Sequence, residues 1–450
     1  MHADFLRGIF AKNPDGAALI WRDQEVSYGR LLRHWDEARQ LLDAHGIQEG
    51  AVVALEADFT PHSVAMLLAL IDRSAIVVPL APVVEVRKAE FCETAEVGYR
   101  LKLIDEAFEI EATGHEATHP LLRELSAARR PGLVVFSSAT TGKSKAALHD
   151  FVPLLEKYKV PRKARRMLSF LLFDHLGGLN TLFYSLSNAA TLLLPHDRSP
   201  AAIARAIARH RIQVLPATPT FLNLLLISGA HQQADLSSLE LITYGTEPMP
   251  KSLLERLREV FPGVELQQTY GLTELGVLRS KSKSSESLWV KLGGPEFDTR
   301  VRDGKLEIKA RSAMLGYLNA PSPFTEDGWY MTGDLVETDG EYLRILGRDS
   351  NLINVGGQKV YPIEVESALL RMPGVTEVVV FGEPNAILGH IVTAMVRLTS
   401  QETAPEFRIR MRQSLQEQGL PAFMVPQKVS VSSEPLHSER FKIRRTAGQA

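Results

Sequence analysis

Between residues 137 and 145 the chain reads SSATTGKSK, a run of small hydroxylic residues closed by Gly142 and Lys145. Such a segment can wrap an anion. Small side chains let several backbone N–H groups point inward, the hydroxyls of Ser137, Ser138, Thr140 and Thr141 add donors, and a lysine brings charge, a set that suits a triphosphate. A Ser/Thr-rich surface turn has the same composition, and both readings stand at this point. A third takes Gly142-Lys143-Ser144 as the tail of a Walker A loop. Its spacing is wrong, because Ser137 stands where that motif opens with glycine, and no apolar strand ending in a lone Asp follows.

Other polar groups are ambiguous taken singly. Asp334 in Thr332-Gly333-Asp334 has the setting of a turn residue. His175, in Phe173-Asp174-His175-Leu176, reads as a structural hydrogen-bonding residue as readily as a functional one. The run FKIRR at 441–445 has the composition of solvated surface. Arg279–Ser287, RSKSKSSES, is polar without periodicity and is expected to be a solvated loop without chemistry. Cys92 is the only cysteine. It can form no internal disulfide and is expected to pack rather than react, which suits a reducing compartment.

The elements that must hold these groups alternate between strand and helix. Strands are expected at Ala17–Trp21, Val52–Glu56, Gly132–Phe136, Ala190–Pro195 and Leu239–Tyr244, with helices at Tyr28–Ala44, Ala201–His210 and Pro250–Phe261. In the last helix Leu253, Leu254, Leu257, Val260 and Phe261 form an apolar stripe that predicts core packing, and Pro262-Gly263 ends it. Beyond Gly347–Asn351 the pattern changes to helix Ile363–Leu370, strands Thr376–Gly382 and Ile391–Leu398, helix Glu406–Gln418 and strand Lys428–Val431. A boundary is expected there, giving residues 1–347 and 348–450 as two units, which 450 residues would in any case require.

A hydrophobic fraction of 45% and a charged fraction of 23% place the chain among globular proteins. The formal net charge of -2 gives no global field for nucleic acid or an anionic membrane, so any anion must be bound locally. The first residues lack an apolar h-region, and no stretch reaches the ~20 apolar residues that span a bilayer. A cytoplasmic protein without stable membrane insertion is expected.

Taken in order, SSATTGKSK at 137–145, YGTEPM at 244–249, YGLTE at 270–274, TGD at 332–334, GRDSNLINVGGQKVYPIEVE at 347–366 and FKIRR at 441–445 resemble the signature of the adenylate-forming superfamily of acyl-CoA synthetases, peptide-synthetase adenylation domains and luciferases. The resemblance spans nearly the whole chain and is closest in style to acyl- or aryl-CoA ligases. It implies an α/β fold: a large N-terminal domain of stacked sheets and helices, followed by a small mobile α+β C-terminal domain that rotates between half-reactions. The implied activity is ATP-dependent activation of a small carboxylic acid to acyl-AMP, then transfer to the thiol of CoA or of a carrier-protein phosphopantetheine. Transfer to an amine is an alternative, as is a P-loop-like nucleotide-binding protein without ligase activity.

The same resemblance implies roles. Ser137, Ser138, Thr140, Thr141, Gly142 and Lys145 would embrace the β- and γ-phosphates of ATP, with Thr141 near Mg²⁺. Gly245, Thr246 and Glu247 would lie along adenine, Tyr270 and Gly271 beside it, and Thr273 at the α-phosphate. Glu274 would hold Mg²⁺, a hard cation that prefers oxygen. Asp334 would accept from both ribose hydroxyls, supported by Arg348. Lys442 would be the catalytic cation, offsetting repulsion between an attacking carboxylate and the α-phosphate. His175 would orient that carboxylate. Asp349 would be the hinge, and Gly356 and Gly357 would let a pantetheine arm pass. Three departures stand in the phosphate loop: Ala139 and Ala146 replace glycine, and Ser144 replaces proline. Arg440-Phe441 replaces the usual Ser-Gly before the lysine.

Overall fold

The computed structural model describes residues 2–137 and 144–445. Ser138, Ala139, Thr140, Thr141 and Gly142 therefore lie outside the described residues. Two seven-stranded sheets dominate. The first runs Glu265–Gln268, Leu241–Tyr244, Val214–Ala217, Met167–Leu168, Leu192–Leu194, Ala17–Trp21 and Gln24–Ser27, parallel except at the last pair. The second has a parallel centre of Gly132–Phe136, Ile76–Leu80, Val52–Glu56 and Tyr99–Ile104, with antiparallel strands added at either edge.

Period-two sorting explains these strands. Leu192 and Leu194 enter the core shared between the two sheets, whereas Leu193 faces the opposite way. Val53 and Leu55 enter that shared core, and Val52 and Ala54 face the other side of their sheet. A strand buried on both faces reads as an unbroken apolar run. Helices Tyr28–Ala44, Pro61–Asp72 and Leu176–Ser187 fill the space between the sheets. Pro61–Asp72 is apolar all round and buried along most of its length, as a helix enclosed on every side must be. It starts on a capping box between Thr60 and Ser63, with Pro61 at its first turn. Such a cap contributes ~1 kcal/mol.

Two expectations need correction. Val260 is 38% exposed and belongs to the solvent side of helix Lys251–Val260, because the apolar stripe closes with Leu253, Leu254, Leu257 and Phe261. The stretch Arg279–Ser287 is not all loop. Ser280–Ser282 forms the edge of a six-stranded antiparallel sheet with Trp289–Leu292, Tyr342–Arg348, Tyr330–Asp339, Lys305–Ala310 and Phe297–Arg302. Its hydroxyls reach the free edge of the first sheet: Gln268 N–H donates to Ser282 Oγ at 2.8 Å and Leu266 N–H to Ser285 Oγ at 3.0 Å.

The remaining strands, Gln358–Val360, Ile353–Val355, Gly389–Leu398, Val375–Asn385 and Lys428–Val431, form one sheet with helices Pro362–Leu369 and Ala404–Glu417 against it. Its buried core runs from Ile353 to Met424, with Val425, Val429 and Val431 packed against it. This unit touches the rest through polar contacts, including Ser252 N–H to Ser367 Oγ at 3.0 Å and the Arg371–Glu255 ion pair at 2.9 Å. Cys92 is half-buried on helix Lys88–Thr94, and burial pushes its thiol up to about 11. No described helix is long and apolar enough to cross a membrane.

Candidate active site

Three adjacent parallel strands, Val214–Ala217, Leu241–Tyr244 and Glu265–Gln268, end at one cleft of about 1680 Å³. The carboxyl ends of parallel strands are where open α/β sheets bind ligands. The loop after the middle strand lies flat there. A Cβ on Gly245 would stand 2.4 Å from Thr269 Oγ1 and 2.8 Å from its carbonyl oxygen, so only glycine fits. Thr246 comes next at φ +71 and is exposed, a left-handed conformation that costs a β-branched residue of order 1–3 kcal/mol. Gly271 is similarly confined, since a Cβ there would stand 2.8 Å from the Gly276 carbonyl oxygen.

Two carboxylates face this floor. Asp334 pairs across the sheet with Arg348, whose Nε lies 2.7 Å away, and the Tyr270 hydroxyl donates to its other oxygen at 2.5 Å. Burial raises the Asp334 pKa and the Arg348 guanidinium opposes that. Two carboxylate oxygens offer about four acceptor sites, so two remain for a diol. Glu274 accepts from the Tyr317 hydroxyl at 2.6 Å. Among the described residues no group of three or more His, Cys, Asp or Glu could cage a metal. A single cleft carboxylate does fit Mg²⁺, which commonly takes one or two carboxylates together with substrate phosphates and water.

Lys145 reaches the same place from the other side, its Nζ 5.1 Å from the Tyr317 ring centre. The base of its loop is closed by Ser137 N–H to the Lys145 carbonyl at 2.9 Å and by Lys145 N–H to Ser137 Oγ at 3.2 Å. Lys145 runs directly into the antiparallel strand Ala146–Asp150 and not into the helix that a Walker loop opens, so the P-loop alternative fails. Ala146 causes no strain, since it opens that strand in extended backbone, and its N–H donates to Asn319 Oδ1 at 2.9 Å. Ser144 is buried with its Oγ 2.7 Å from Arg87 Nη1. Thr273 lines the cleft beside Glu274.

A second cluster lines the same cleft. His175 caps helix Leu176–Ser187, and its Nδ1 accepts from Gly177 N–H at 2.9 Å. Burial, with Lys442 and Arg440 nearby, holds the ring well below its usual pKa and therefore neutral. A neutral ring that accepts at Nδ1 carries its proton on Nε2. That Nε2 lies 3.4 Å from Lys442 Nζ. Two donors thus converge on one point, an arrangement that calls for a shared acceptor such as a carboxylate. Burial also lowers the Lys442 pKa, and Glu247 opposes the shift.

The Glu247 side chain accepts from Ile443 N–H of the terminal segment at 2.6 Å and from Thr220 Oγ1 of helix Pro219–Ile227 at 2.7 Å. Gly356, Gly357 and Asp349 are not among the residues lining the cleft. Gly356 and Gly357, at φ +56 and +88, form the two-residue turn between Ile353–Val355 and Gln358–Val360, as a primed hairpin turn requires. Asp349 pairs with Lys305 at 2.7 Å.

The residues that motif reading missed sit around Lys442. Arg440 makes two parallel bonds to Asp174, at 2.9 and 2.5 Å. Phe441 has φ +52, at the position where glycine is usual, and its ring lies 5.3 Å from Phe170, 5.5 Å from Phe221 and 5.9 Å from His437. Arg445 makes a second two-bond pair with Glu366, at 2.6 and 2.7 Å. The signal available was the departure itself: Arg-Phe in place of Ser-Gly adds a charge and a ring, and both find partners.

A family model described as AMP-binding enzyme matches residues 7–101 and 96–302, and one described as AMP-binding enzyme C-terminal domain matches residues 364–440. Indoleacetate–CoA ligase of Aromatoleum aromaticum is 27% identical over 439 residues, covering 85% of each chain. The 2-succinylbenzoate–CoA ligase of Bacillus subtilis is 27% identical over 450 residues, covering 91% of this chain and 90% of its own. In fold, the chain is similar to an o-succinylbenzoate CoA synthetase from Bacillus subtilis solved with its acyl-adenylate intermediate, with a TM-score of 0.76, 24% identity and 98% and 96% of the two chains covered. The structure of that synthetase with ATP and a magnesium ion gives a TM-score of 0.75, again at 24% identity, with 98% and 97% covered.

Proposed function

This chain belongs to the AMP-binding enzyme family, and from that premise and the geometry of its cleft we infer that it joins a carboxylic acid to a thiol with ATP, through an acyl-adenylate. It is an AMP-forming acid–thiol ligase of the acyl-CoA synthetase kind, using ATP with Mg²⁺ and taking CoA as acceptor. The observation that carries the mechanism is the convergence of His175 Nε2 and Lys442 Nζ, 3.4 Å apart, between the acid side and the nucleotide wall.

In the first half-reaction the acid's carboxylate bridges the His175 N–H and the Lys442 ammonium. One oxygen attacks the α-phosphorus, the bond to pyrophosphate breaks, and pyrophosphate leaves. Lys442 offsets the repulsion between two anions and the charge that grows between them. Lys145 offsets the charge of the departing phosphates, the hydroxyl-rich loop from Ser137 donates to them, and Glu274 would hold Mg²⁺, which would supply further positive charge there. Asp334, steadied by Arg348 and Tyr270, accepts from the ribose hydroxyls, while the backbone at Gly245 and Gly271 passes close to adenine, with Thr273 at the α-phosphate. The Glu247 side chain positions Lys442 through the backbone of Ile443, while its backbone, with that of Thr246, continues the stretch along adenine.

In the second half-reaction a thiol attacks the acyl carbon and AMP leaves. We assign residues 1–347 and 348–450 to two domains, with Asp349 as hinge. Rotation there withdraws Lys442 and brings the Gly356–Gly357 turn to the path of the pantetheine arm. A carrier-protein phosphopantetheine is the second thiol this path would admit. A cytoplasmic setting belongs to the same proposal, supported by a lone, half-buried cysteine.

The test is acid-dependent exchange of labelled pyrophosphate into ATP over aliphatic, aromatic and amino acids, followed by capture with CoA, a phosphopantetheinyl carrier or an amine. Exchange that needs an acid, followed by thioester formation, is expected. ATP binding without exchange for any acid overturns the reading.

A further inference from the structure

The acid side of the cleft is polar. Helix Leu176–Ser187 and its C-terminal cap turn Gly177, Asn180, Thr181, Tyr184 and Asn188 into it, a spacing of three and four that marks one helix face. Against this face lies Lys157, whose ammonium donates to Asn180 Oδ1 at 2.7 Å and to the Val277 carbonyl at 2.8 Å. Both partners are neutral, and an ammonium has three donors.

Of the neighbouring cations, Arg165 has Glu240 at 3.4 Å and Arg279 has Glu296 at 2.8 Å, whereas Lys157 and Arg162 have no ion pair among the described residues, and of these two Lys157 is the one fixed against the helix face by its bonds to Asn180 and Val277. Burial pushes the Lys157 ammonium down to about 7, Arg162 and Arg279 push it the same way, and Glu296 opposes them. A buried cation without a counter-charge is costly to keep. Asn180 stands five residues beyond His175, about 7 Å along the helix axis. The lining of the same cleft also includes the apolar side chains of Met167, Leu171 and Val214.

We propose that Lys157 anchors a second anionic group on the substrate, so that the enzyme prefers acids carrying a distal carboxylate, about a benzene ring away from the reacting one, over singly charged acids. This rests on the reading of the cleft as the site that activates a carboxylic acid. The apolar stretch takes the carbon spacer. The distal anion takes the third donor of Lys157 and supplies the counter-charge the protein omits. A lysine serving only to tie the helix to strand Gly276–Leu278 would confer no such preference.

Pyrophosphate exchange with matched acids decides it: adipate, terephthalate and 4-carboxyphenylacetate, each against its monomethyl ester and its monoamide. The diacids are expected to exceed their singly charged partners in kcat/KM by on the order of tenfold to a hundredfold, the range for a hydrogen bond to a charged group. Lys157→Met is expected to collapse that ratio towards one, and Lys157→Arg to keep part of it. Singly charged partners that equal or exceed the diacids in the wild-type enzyme overturn the inference, and this arm stands even where Lys157→Met fails to fold. Exchange with singly charged acids alone sinks only this inference. Exchange with no acid of either kind sinks the ligase reading as well.

Discussion

At Lys442 the working form is the ammonium, and burial favours its loss. The proton therefore leaves at lower pH than from an exposed lysine, and exchange is expected to fall as pH rises through that lowered pKa. Lys442→Arg should lack this alkaline limb, because guanidinium does not titrate there. Lys442→Ala should slow exchange by about 10²–10³-fold, the scale for removing one transition-state donor. Full exchange in the alanine variant would remove the lysine from the mechanism. The motif FKIRR is what drew this residue out of the sequence as a candidate. The sequence could not disclose that Asp174 holds Arg440, since the two are separated by 266 positions and neither has a local signal.

Among the elements, the buried strands were legible because burial on both faces leaves unbroken apolar runs, as at Val52–Glu56 and Leu192–Leu194. Strand Ser280–Ser282 was illegible for the opposite reason: its side chains answer to the hydrogen-bonding needs of a neighbouring sheet edge and not to a core. The helix that carries His175 depends on a close approach no pattern reveals. A Cβ on Gly178 would stand 2.2 Å from the Leu172 carbonyl oxygen. Gly178→Ala is accordingly expected to destabilise the protein by ~1–3 kcal/mol in denaturant unfolding. It should also raise KM for the acid more than for ATP, because the helix start and His175 must shift together. An unchanged midpoint would mean that the loop at Leu172 yields freely.

At the scale of the whole molecule, the terminal segment is pinned by the Asp174–Arg440 and Glu366–Arg445 pairs and by Phe441 among Phe170, Phe221 and His437. The left-handed backbone at Phe441 costs about 1–2 kcal/mol, which ring burial offsets. The pinned state is the one that presents Lys442. Arg440→Ala leaves Asp174 unpaired and is expected to weaken this state by about 2 kcal/mol or more. Exchange should drop, while thioester formation from a synthetic acyl-adenylate is spared. Equal loss in both assays would contradict a role confined to the first half-reaction. Cys92 has a practical corollary here. A thiol pushed up to about 11 is almost silent towards maleimides at neutral pH. Cysteines introduced at Val86 on the cleft rim and at Ile387 on the far unit, sites 97% and 91% exposed, would take up dyes ahead of it. Fluorescence energy transfer between them would then test whether the two lobes swing during turnover, with the native sulfhydryl left in place.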